Sequence, residues 1–162
     1  NDLPDENPAA SPRFSEPETP VHPAPETADL QSSTDPAAGN APAEIEAAAY
    51  VDEEVVKNGL DLFEEDFWPL VDRYLDDLVN YIDDIDKAFV EKRHADIHMP
   101  VHSIKSSSRQ IGAMRLGEVA AWVEQFVMPG GEIDVSALES ALDDLRETSK
   151  TTREKLTEAR AA

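Results

Sequence analysis

Nine of the chain's twelve prolines fall within its first 44 residues, and the other three stand alone at Pro69, Pro100 and Pro129. Proline has no amide to donate and its ring clashes with the preceding turn, so a helix accepts it only in its first turn or just past its end. The first 44 residues, rich also in Ala, Glu, Ser and Thr, cannot hold a long helix. They also carry too little apolar surface to offset the entropy of ordering. We read residues 1–44 as a disordered acidic tether and residues 45–162 as the folded domain. Within the tether, PVHPAP from Pro20 to Pro25 could act as a polyproline docking peptide, and His22 is read as a solvated histidine.

From Ile45 onward apolar residues recur at helical spacing. Residues 52–62, DEEVVKNGLDL, predict a short helix opened by acidic residues and weakened or ended by Asn58 and Gly59. A long helix follows, with Phe67, Val71, Tyr74, Leu78, Tyr81 or Ile82, Ile85 and Phe89 inward. Pro69 fixes its start near Asp66, and it should reach about Arg93. Its outer side carries Asp72, Asp76, Asp77, Asp83, Asp84 and Asp86, which read as a solvated face because the glycine-centred calcium loop is missing. A third helix holds His94, His98 and His102, with Pro100 in its first turns or kinking it. Gly112 closes that helix or permits a tight crossing.

The fourth helix should run from Met114 to about Met128, with Leu116, Val119, Ala120, Val123 and Phe126 or Val127 inward and Trp122 as a packing residue. Pro129, Gly130 and Gly131 stop it. The last helix opens near Asp134 to Ser136, where Ser136 and Glu139 form a possible capping box. Its inner face, Leu138, Leu142, Leu145, Ser149, Thr152 and Leu156, grows polar toward Ala162, so its end is expected to fray. Four long amphipathic helices and a short one give the fold class: all-α, an up-down four-helix bundle with a short additional N-terminal helix.

A formal net charge of -21 argues against a nucleic-acid surface, which needs clustered Lys and Arg, and in favour of protein partners. The absence of cysteine excludes disulfides and thiolate metal sites. No apolar run approaches the roughly 20 residues of a membrane span, and no signal stretch opens the chain. These features read as a soluble, cytoplasmic monomer without direct membrane contact, unless a larger parent protein carries an anchor. The histidines recur every fourth residue, but residues eight apart are separated by about 12 Å along a helix, so one ion could hold two of the three. No glutamate adjoins the first histidine of HMPVH and no third ligand is evident, which leaves metal capture by His98 and His102 as a lesser reading.

The chemistry concentrates in residues 102–113, HSIKSSSRQIGA. His102, Lys105, Ser106 and Arg109 share one helical face, and Val101, Ile104, Ser108 and Ile111 line the other. Taken on spacing alone, the first group could be ordinary solvated side chains. The segment nevertheless resembles the histidine-containing phosphotransfer (HPt) domains. Their pattern is a His, two residues, a Lys, a small residue, often a run of Ser, and a Gly a few positions later. His102, Lys105, Ser106, Ser107, Ser108 and Gly112 meet it, with Ser106 where Gly is commonest, and Leu116, Val119, Val123 and Glu124 resemble the family's next helix.

The resemblance implies a four-helix bundle in which His102 is phosphorylated by a receiver-domain aspartate and passes the phosphoryl group to another receiver. An imidazole titrates near neutrality and so offers a nucleophilic nitrogen. Lys105 would compensate phosphoryl charge, and Glu124 would hydrogen-bond the inner ring nitrogen. Ser106 would leave room for the partner, with Arg109 and His98 also on the partner-binding side. The implied partners are response-regulator receiver domains and a hybrid histidine kinase, with magnesium on the receiver and no cofactor or metal on this chain. The alternative from another class is a helical scaffold that binds a receiver or kinase without carrying phosphate.

Overall fold

In the computed structural model, the structure describes residues 41–162, so the expectations for residues 1–40, including the PVHPAP peptide and His22, lie outside the described residues. The helices are α1 (Ala43–Glu46), α2 (Glu53–Phe63), α3 (Phe67–Val90), α4 (His98–Ile111), α5 (Met114–Phe126) and α6 (Val135–Ala161). Short 3-10 turns at Glu64–Asp66 and His94–Ile97 precede α3 and α4, and no strand occurs among the described residues. α3 to α6 form an up-down four-helix bundle in which each packs on its sequence neighbour and α6 closes on α3. The short N-terminal part has two pieces, since the one-turn α1 precedes α2 and spans the expected boundary at 44/45. Ala41 donates its amide to Asp144 at 2.9 Å, and Ile45 packs against the core.

The core is the inward stripe of each helix: Leu78 and Ile85 from α3, Ile104 from α4, Leu116 from α5, and Leu142 and Leu145 from α6 are all buried. Pro69 sits in the first turn of α3, where its missing amide costs nothing. α3 stops at Val90, short of Arg93, because Lys92 turns left-handed (φ 59°) and the Arg93 amide bonds back to the Ala88 carbonyl. Asp72 and Asp86 leave the solvated aspartate face to pair with Arg160 and Arg146 of α6. No helix among the described residues is long and apolar enough to cross a membrane.

Four local expectations are corrected. Asn58 and Gly59 do not end α2, which runs to Phe63; Gly59 instead makes room for the Phe67 ring, which a side chain there would meet. α5 ends at Phe126 rather than Met128. The cap of α6 is Asp134, whose carboxylate accepts from the amides of Ser136 and Ala137, and not a Ser136–Glu139 box. Its far end stays helical to Ala161, with Leu156 buried and Arg160 lying 5.8 Å from the Trp68 ring centroid. The polar stretch of α6 is nonetheless inside: Thr148, Ser149 and Thr152 are buried, and the Thr152 hydroxyl has no partner among the described residues.

Candidate functional site

α4 opens at His98, so Pro100 is its third residue and the helix needs no kink to accept it. His94 lies in the preceding 3-10 turn against the Phe89 ring (5.4 Å), which removes it from the expected histidine stripe. Val101, Ile104 and Ser108 are buried, and this fixes the rotation of the helix. His102 and Arg109 therefore face out, with Lys105 and Ser106 half-buried on the same side. The serines fold back on the helix: Ser103, Ser106 and Ser107 donate to the carbonyls of Met99, His102 and Ser103. That bonding keeps the ridge beside His102 low. Gly112 ends α4 at φ 85° and also permits close approach, since a Cβ there would fall 3.1 Å from the Asp52 carbonyl oxygen.

α5 packs along α4 and carries Glu124 into the seam. Its Oε1 lies 2.6 Å from His102 Nδ1, and its Oε2 lies 2.5 Å from Lys105 Nζ. His98 Nε2 is 3.7 Å from the same Oε1, and the His98 and His102 rings stack with centroids 6.1 Å apart. The Glu124 side chain is 12% exposed, against 49% for His102. Burial alone would raise the Glu124 carboxyl, but hydrogen bonds from Lys105 and His102, together with their charge, outweigh it and hold the group below its ordinary value. The carboxylate thus stays ionised at neutral pH. As acceptor it places a proton on Nδ1 of a neutral His102 ring, leaving Nε2, which has no partner among the described residues, as the basic nitrogen.

Arg109 crosses to α5, where it meets Glu118 at 2.8 Å. On the buried side of α4 the Ser108 hydroxyl is 2.7 Å from that of Tyr74 on α3. Burial pushes the Tyr74 phenol up to about 12, with the Ser108 contact lowering it in part. Among the described residues no group of three His, Cys, Asp or Glu is arranged to hold a metal ion.

The chain matches the Hpt domain over residues 69–161, from the first turn of α3 to the end of α6. It belongs to the Hpt domain family. Hpt domains serve histidine phosphotransfer in phosphorelays and interact with receiver domains and kinases. Neither the curated proteins nor the solved structures compared with this Hpt chain gave a match. α1 and α2 precede the matched Hpt segment. Sequence reasoning on this Hpt domain passed over Gly117, Glu118 and the Tyr74–Ser108 pair. An isolated glycine within the helical pattern of MRLGEVA was the signal for the first, since such a residue often marks close packing.

Proposed function

We propose that this domain is a phosphocarrier in which His102 takes a phosphoryl group from a receiver-domain aspartate and hands it to another receiver. The observation that carries the reading is the 2.6 Å contact of His102 Nδ1 with Glu124 on a ring whose side chain is 49% exposed. The Nε2 lone pair forms a bond to phosphorus as the aspartyl oxygen–phosphorus bond breaks and the aspartate leaves as carboxylate. The ring keeps its Nδ1 proton and becomes cationic, and Glu124 matches that charge without moving a proton. The partner receiver supplies magnesium, and this chain brings neither metal nor cofactor. Ser106 leaves room for the partner, with Arg109 and His98 on the docking side. A hybrid kinase would feed the relay, with the domain acting as a cytoplasmic monomer.

Phosphoramidate, which phosphorylates histidine without a protein partner, and a phosphorylated receiver with magnesium are the two donors for the test. Acid-labile label on wild type from both, and none on His102→Gln, is the expected result. Label that survives the substitution overturns the assignment of His102. Receiver binding without label from either donor would instead establish the scaffold reading.

A further inference from the structure

The His102 face carries two cations, and the structure treats them differently. Lys105 is turned in: its side chain is 20% exposed and its ammonium is taken up by Oε2 of Glu124. Arg109 is 43% exposed and gives one guanidinium nitrogen to Glu118. A guanidinium has five N–H donors, so this pairing leaves donors available to a partner. The stem of Arg109 lies across α5 at Gly117, a buried glycine within the helix. A Cβ there would fall 2.8 Å from Arg109 Cγ and 3.5 Å from the Lys105 carbonyl oxygen. A mid-helix glycine costs stability relative to alanine, and here its missing side chain is the space the arginine stem occupies.

We infer that Arg109, seated over Gly117 and clipped to Glu118, is the cation that this face presents to an acidic protein partner, and that Gly117 and Glu118 are positioning residues for it. This rests on the phosphocarrier reading and names what the docking face recognises. Arg109 lies seven positions after His102, about 10 Å along the helix axis. In a chain of net charge -21, an acidic partner is repelled at long range, so a fixed local cation decides which partners can dock.

Phosphotransfer from a phosphorylated receiver is measured for wild type, Arg109→Ala, Gly117→Ala, Glu118→Gln and the Arg109→Ala/Gly117→Ala double variant, as a function of receiver concentration and salt. Arg109→Ala and Gly117→Ala should each raise the receiver concentration needed for half-maximal transfer roughly three- to tenfold and flatten its salt dependence, while the limiting rate is kept. Glu118→Gln, which loosens the clip, should alter the same half-maximal concentration and leave the limiting rate in place. The double variant should match Arg109→Ala alone, because the glycine acts through the arginine. A Gly117→Ala defect that persists undiminished without Arg109 would show that the glycine only sets helix spacing and would overturn the inference. So would unchanged half-maximal concentrations for Arg109→Ala, a surface change that leaves the core intact. Phosphoramidate labelling of wild-type His102 separates these outcomes from failure of the carrier reading, which appears there as absence of label.

Discussion

The Lys105 ammonium lies 2.5 Å from Oε2 of Glu124, so the lysine beside the histidine is neutralised from within the bundle. The other carboxylate oxygen is then committed to His102, and the two bonds together fix the glutamate. A single side chain on α5 thereby sets the tautomer of the ring and the position of the nearest cation on α4.

This arrangement predicts a pH-dependent stability. Because the folded state holds the Glu124 carboxyl below its ordinary value, its contribution is fully present above the unfolded value. It is lost as pH falls through the folded one. Glu124→Gln should cost about 1–2 kcal/mol near neutral pH, since the carboxylate accepts two hydrogen bonds from groups that can carry charge. Urea unfolding of both proteins between neutral and strongly acidic pH should show that difference shrinking toward zero at the acid end. A difference that stays constant with pH would rule out the ionised carboxylate as its source.

Ser106 is predicted to matter through its size. Its hydroxyl is tied to the His102 carbonyl at 3.1 Å, and it lies one turn from the ring. Ser106→Trp should leave helicity by circular dichroism unchanged yet slow transfer from a phosphorylated receiver by about tenfold or more, a loss of about 1.4 kcal/mol in transition-state stabilisation. Transfer at the wild-type rate would dismiss the steric account.

The buried hydroxyls should respond with opposite signs. Tyr74 and Ser108 satisfy each other, so Tyr74→Phe strands a buried Ser108 hydroxyl and should cost about 1–2 kcal/mol. The Thr152 hydroxyl is buried without a partner among the described residues, so Thr152→Val removes an unmet polar group at constant shape and should stabilise by about 1 kcal/mol. Thermal or urea midpoints check both, and a destabilised Thr152→Val would mean that the hydroxyl finds a partner in solution.

Gly59→Ala tests packing against propensity. In an exposed helix the change would stabilise by roughly 0.5–1 kcal/mol. Here the new methyl would fall against the buried Phe67 ring, and overpacking of that kind costs about 1–3 kcal/mol, so net destabilisation is expected. A raised urea midpoint would show that the ring moves aside freely.

Periodicity determined that the domain from Ile45 onward is helical, and prolines and capping residues marked where most of its helices begin. Pro69, Pro100 and Gly112 are constraints each residue carries in its own backbone, and each sits where those constraints demand. The outward face of α4 was equally readable, because burial of Val101 and Ile104 dictates where His102 points. The partners of that face were a different matter. Glu124 stands 22 positions after His102 and was named as the ring's partner only through the family resemblance, because whether its carboxylate meets the ring depends on the rotation and spacing of two packed helices, which no local pattern encodes. For the same reason Lys105 turned inward and Arg109 found its seat over Gly117. Hydrophobic spacing selects helices and faces through short-range geometry, whereas the pairing of polar groups across a seam is decided only when the core has fixed how the helices cross.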